Sequence, residues 1–143
     1  MKTEYKTISV RAVIRKGNKI LTEWFVPKSI SFLPGGTVEP DEELESALIR
    51  ELDEELTGAN LRVGRYLGKI GHFWSTPKGS NSCLNHFYEV ILEEDFGVSA
   101  REPGREMKWL SLDDDKAQTL QPPSLARLLK QYPEVLWDQV DCE

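Results

Sequence analysis

Apolar residues change period several times along the chain, and each period predicts an element. In "ISVRAVI", Ile8, Val10, Ala12 and Ile14 share one phase and Ser9, Arg11 and Val13 the other, which predicts a strand with one buried face. Gly17–Asn18 supplies a turn, and "KILTEWFV" reads as the returning strand. In "SFLPGGTVEP", Pro34 and two glycines predict a tight turn where the backbone approaches something closely. From about Asp41 to Leu56 the period becomes helical, with Asp41 as N-cap, acids in the first turn and Gly58 as the stop. "NLRVGRYLGKIGHFW" predicts a strand bent at its glycines, "STPKGSNS" a polar loop, "CLNHFYEVIL" a strand, and "EEDFGVSAREPGRE" a long exposed connection. "MKWLSL" predicts a short strand. "PPSLARLLKQYP" predicts a second helix whose stripe is Leu125, Leu128, Leu129 and Tyr132 and which Pro133 ends. The tail "EVLWDQVDCE" carries no period; Trp137 is its anchor, on the body or on another subunit.

The first helix holds an anomaly. With Leu44 at zero and about 100° per residue, Leu48 falls near ~40°, Leu52 near ~80° and Ala47 near ~−60°. Glu51, near ~−20°, and Glu55, near ~20°, lie in the middle of that apolar stripe, and Glu54, near ~−80°, lies on its edge. Glu43, Glu45 and Asp53 point elsewhere, to faces that can meet water. A carboxylate among apolar groups is unfavourable unless it is paired or binds a metal. Arg50, four residues before Glu54, is the one base nearby, and one arginine cannot neutralise three carboxylates. Divalent cations can. Oxygen-rich sites of this kind select magnesium or manganese, which share their shell with phosphates.

Charge sharpens this picture. The chain carries −6 over 143 residues, but the segment 39–55 holds nine acids and one base, a local charge of −8, so the remainder sums to +2. The acidic face would repel phosphate unless cations intervened, and it argues against duplex nucleic acid or an anionic membrane as its partner. The length suits one domain over residues 1–143. No apolar run reaches the ~20 residues of a membrane span, and "MKTEYKTISV" lacks the apolar core of a signal peptide. Cys83 and Cys142 form no metal-type spacing and read as free thiols, Cys83 as a packing residue, which fits a cytoplasmic location.

"GTVEPDEELESALIRELDEELTGA" resembles the Nudix box, G-x5-E-x7-R-E-U-x-E-E-x-G-U, with U a bulky apolar residue. Gly36, Glu42, Arg50, Glu51, Leu52, Glu54 and Glu55 fill the fixed positions at the right spacings, and "LPGG" precedes them as in similar proteins. The chain departs after the last carboxylate: one extra residue stands before Gly58, and Ala59 replaces the final bulky residue. Asp41 stands where many relatives have glycine. The resemblance implies an α+β fold, a mixed β-sheet sandwiched between helices (α/β/α). It also implies metal-dependent hydrolysis of a pyrophosphate bond in a nucleoside diphosphate linked to another group, with Mg2+ or Mn2+ as cofactor. By the same resemblance Glu51, Glu54 and Glu55 bind metal with the Gly36 carbonyl, and one glutamate, such as Glu51, orients or deprotonates the water. Arg50 holds Glu54, and Glu42 has a structural part.

Outside the box, Glu106 resembles the acidic position before the late strand that some relatives use as a base; a plain surface glutamate is the alternative. Arg11, on the polar face of the first strand, is a phosphate contact or a surface arginine. His72 and His86 read as hydrogen-bonded structural histidines. Trp24, Phe32, Phe73 and Trp74 could stack on a base or belong to the core. No signature specific for NADH or coenzyme A is present, and Pro77 comes late for an ADP-ribose signature. The expected partner is a small nucleotide-type substrate, among nucleoside triphosphates, nucleotide sugars, dinucleoside polyphosphates or capped RNA. A homodimer is common among similar proteins. A Nudix-fold sensor without turnover and an acidic interaction domain remain as competing readings.

Overall fold

A computed structural model describes residues 5–25, 29–56, 60–93, 105–131 and 136–143. The described strands are β1 (Thr7–Val13), β2 (Arg15–Lys16), β3 (Lys19–Phe25), β4 (Ile30–Phe32), β5 (Gly35–Thr37), β6 (Leu61–Thr76), β7 (Gly79–Leu92), β8 (Arg105–Ser111) and β9 (Trp137–Cys142). The described helices are α1 (Leu44–Glu55) and α2 (Leu125–Gln131), with a 3₁₀ turn at Asp115–Thr119.

The larger sheet has the order β5-β1-β7-β6-β9 and is mixed: β1 runs parallel to β7 and β9 parallel to β6, while the other pairs are antiparallel. In the smaller sheet β3 pairs with β2, β4 and β8. Strand alternation sends Val10 and Ala12 of β1, Ile14 just after it, and Tyr88 and Val90 of β7 into a core beneath α1, with Ala47, Leu48 and Leu52. Val13 and Phe87 face the other way, into a core with Leu125 and Leu129 of α2. The sheet is therefore held between the helices, as expected. Burying a leucine such as Leu48 fully stabilises the assembly by about 2 kcal/mol.

Several expectations are corrected. β1 is buried on both faces, because the core under α1 covers one and the core with α2 the other; Ser9 and Val13 are buried like Val10. Helix α1 begins at Leu44 behind Glu43, and Asp41 is not its cap. Asp41 has φ of +64°, a left-handed conformation outside the extended region an N-cap needs, and one that favours glycine. "STPKGSNS" is no loop: β6 and β7 pair out to Thr76↔Gly79, leaving Pro77 and Lys78 as the tip of a long hairpin. Its register shifts fall between Val63 and Tyr66 and between Tyr66 and Gly68, at the expected glycine bends. The tail forms strand β9. Trp137 docks on the body, edge-on to Phe87 at 5.5 Å between ring centroids. Gly68 makes room for it: its φ is +130°, and a Cβ there would strike the Trp137 backbone. The turn at Gly17–Asn18 is present between β2 and β3, with Gly17 at φ +63°. Val26, Gly58, Ala59, the connection over 94–104, Tyr132 and Pro133 lie outside the described residues.

Candidate active site

The expected close approach at the two glycines is real and has two partners. Gly35, at φ +144°, presses on β1, where a Cβ would overlap the Val10 carbonyl. Gly36 faces α1, and a Cβ there would collide with the carboxylate of Glu51. Two small residues thus seat the acidic helix against the sheet edge.

The helical wheel holds in detail. Glu51 and Glu55 are half-buried inside the apolar stripe, and Glu54 on its edge is exposed. Each carboxylate has a different environment. Arg50 grips Glu42 with two bonds, Nε to Oε2 and Nη2 to Oε1, both 2.9 Å. Its Nη1 donates to Glu51 Oε1 at 3.0 Å and its Nη2 to the Thr37 carbonyl at 3.0 Å. The Glu39 N–H also donates to Glu42. The Arg50 bonds, then this N–H, hold the Glu42 carboxyl down at about 2. This fork fastens the 37–42 segment to the helix and holds Glu51 through Oε1, with the Glu51 carboxylate lying against Gly36. The resemblance implied that Arg50 holds Glu54; it holds Glu42 and Glu51 instead, because a bidentate fork needs a carboxylate facing it end-on. Glu42 has the structural part expected of it.

Glu55 enters the seam between the two sheets. The Gly35 N–H donates to its Oε1 at 3.3 Å, while Oε2 is buried with no hydrogen-bond donor. Burial first, and then the neighbouring carboxylate of Glu23, push the Glu55 carboxyl up to about 9, with Arg11 opposing them. The folded chain therefore holds a proton that the unfolded chain gives up near 4.5. In EDTA, stability is expected to fall as pH rises between about 4.5 and about 9, and Glu55→Gln should flatten the curve. Melting temperatures across pH 5 to 9 check this; a wild-type curve that is flat or rises over that window contradicts it.

Among the described residues no three acidic, histidine or cysteine side chains stand together at ligating distances. The three box glutamates are turned to separate partners or to solvent. The donor set nonetheless suits a hard divalent ion: only oxygens, a buried carboxylate oxygen without a donor, and a glycine backbone lying against Glu51.

Beside the seam is a cavity of about 240 Å³, with Arg11, Phe32, Thr37, His72, Trp74, Asn81, Asn85 and Gln121 among its lining. Arg11 donates Nη1 to the Leu33 carbonyl at 3.0 Å and lies over the Phe32 ring, 5.4 Å from its centroid. Of the aromatics left open by the sequence, Phe32 and Trp74 line this cavity, whereas Phe73 packs on Tyr5 and Trp24 on the α2-side core. His72 bonds Glu143 at 2.7 Å and packs on Trp74, and His86 bonds Tyr66 at 2.7 Å. Both histidines are hydrogen-bonded as expected, but His72 also faces the cavity. Glu106 is not brought to the box carboxylates. It stands opposite Trp24 in the β3–β8 register and pairs with Lys108 at 3.0 Å, while its neighbour Met107 is the residue opposite Glu23.

Sequence reasoning missed Glu23, Asn85 and Gln121. A signal for Glu23 was present: it is in strand phase with Leu21, which packs under α1.

The NUDIX domain family matches residues 6–132. The chain is 34% identical over 102 residues to the low-salt glycan biosynthesis protein Agl8 of Haloferax volcanii, covering 62% of this chain and 60% of that relative. It is 33% identical over 97 residues to the CTP pyrophosphohydrolase of Escherichia coli, covering 58% of this chain and 71% of the relative. The solution structure of the Escherichia coli ORF135 protein superimposes with a TM-score of 0.61 at 27% identity, covering 87% of this chain and 89% of that one. No described helix is long and apolar enough to cross a membrane. With the box residues in place and the fold shared, the chain belongs to the Nudix hydrolase family.

Proposed function

We propose that the chain hydrolyses a pyrophosphate bond in a nucleoside diphosphate linked to another group, with Mg2+ or Mn2+ held by Glu51, Glu54, Glu55 and the Gly36 carbonyl. The observation that carries this reading is the placement of half-buried Glu51 and Glu55 at a glycine-lined seam beside a cavity with aromatic, amide and guanidinium groups. The similarity to a CTP pyrophosphohydrolase supports a nucleotide-type substrate.

When bound, the cation would neutralise phosphate oxygens and make water a better nucleophile near neutral pH. The chain's own groups do the rest. Arg11 is placed to meet a phosphate at the cavity edge, and its bond to Leu33 fixes its reach. Phe32 and Trp74 offer faces for a base, and the amides of Asn81 and Gln121 offer hydrogen bonds to its edge. Glu51, clamped through Oε1 by Arg50, presents Oε2 as the oxygen that orients the attacking water and takes its proton. Positioning and electrostatics carry most of the rate in such phosphoryl chemistry.

A panel of nucleoside triphosphates, nucleotide sugars, dinucleoside polyphosphates and capped RNA, with phosphate and pyrophosphate release followed in Mg2+ and in EDTA, tests the reading. Release is expected with Mg2+ and abolished in EDTA. Tight nucleotide binding without release across the panel would point to a sensor without turnover.

A further inference from the structure

We infer that Glu23, on strand β3 outside the box, supplies an additional oxygen to the cation held by the box glutamates; this rests on the function proposed above. Glu23 is only 6% exposed, in a strand whose neighbours Leu21 and Thr22 are fully buried. Strand alternation puts it in phase with Leu21, which shares a core cluster with Leu48 and Leu52 of α1. The Glu23 carboxylate thereby meets that of Glu55. β3 is paired on both sides at this point, opposite Phe32 of β4 and Met107 of β8, so Glu23 is rigidly placed.

Two buried carboxyl groups side by side bring their oxygens together in the seam. The cation acting on Glu55 there is Arg11, with one of its nitrogens bonded to Leu33, and the Gly35 N–H adds a single long bond. Glu55 Oε2 is buried and lacks a donor. A second carboxyl group adds two oxygens at that point, which suits a hard cation that collects oxygens. Glu51, one helical turn before Glu55, and Gly36, lying against Glu51, would complete the same shell.

Manganese calorimetry and thermal melts on the full chain test this through readouts other than turnover. Glu23→Gln keeps the shape and removes the charge. It is expected to weaken Mn2+ binding about 10-fold or more and to shrink the rise in melting temperature that Mn2+ gives over EDTA. A purely structural partner would leave Mn2+ affinity where it was. An E23Q chain that fails to fold, or that binds Mn2+ within about two-fold of the wild type, overturns the inference. The two levels separate cleanly. A wild type that binds no Mn2+ removes the cation reading and this inference with it. A wild type that binds Mn2+, alongside an E23Q that binds equally well, removes the role of Glu23 alone.

Discussion

Glu54→Gln is expected to lower turnover on the order of 10²-fold or more while leaving the melting temperature where it was. The two halves of that result have separate causes. Glu54 is exposed on the edge of the α1 stripe and packs in neither core cluster, so the fold does not depend on it. Its role under the proposed function is to place a negative oxygen on the cation, and the amide removes that charge at constant shape. Glu45→Gln, also exposed and on another face of the same helix, should change neither quantity measurably. Steady-state rates in saturating Mg2+ and a thermal melt decide the matter. A fully active Glu54→Gln enzyme would count against the mechanism.

Gly35→Ala should be the most damaging single change to stability near the site. Its φ of +144° is a conformation that residues with a side chain rarely adopt, and the new Cβ would overlap the Val10 carbonyl in the interior strand β1. Neither the backbone of β1 nor that of β5 can yield without breaking the pairing of Val10 with Gly36 and Arg11 with Gly35. Strain of this kind together with the overlap is worth about 3 kcal/mol or more, or roughly 10 °C in melting temperature for a chain of this size. Gly36→Ala offers a sharp contrast. Its obstacle is the Glu51 carboxylate, the far end of a flexible side chain. Glu51 can swing aside, so this variant should keep most of its stability and lose activity. If both variants melt alike, the seating of α1 on β5 has been misread.

Much of the site could be read from the sequence because it lies on one helix, where 100° per residue fixes which side chains share a face. Glu51 and Glu55 fell inside the stripe and Glu54 on its edge, as the structure has them. The start of that helix was not legible: Asp41 is a common N-cap residue, but the turn before α1 demanded a left-handed residue, and aspartate is among those that tolerate one. The hairpin tip was lost because Gly79, Ser80 and Asn81 are weak strand formers, and only cross-strand pairing, such as Asn81↔Trp74, extends the strands there. Strand β9 has one buried apolar residue, Trp137, and otherwise the alternation of an exposed sheet edge, so it gave no period to find. Glu23 meets Glu55 across β3 and α1, and the cavity residues come from β1, β4, β5, β6 and β7, so no spacing along the chain records their meeting.

The central claim is that the carboxylates of α1 tolerate one another by enclosing a divalent ion. Electron paramagnetic resonance of free Mn2+, titrated with the protein and then with a Glu51→Gln, Glu54→Gln, Glu55→Gln triple variant, addresses it most directly. The wild type should deplete the free-ion signal stoichiometrically, and the triple variant should leave it intact. Equal depletion by both proteins, or none by either, would contradict the account.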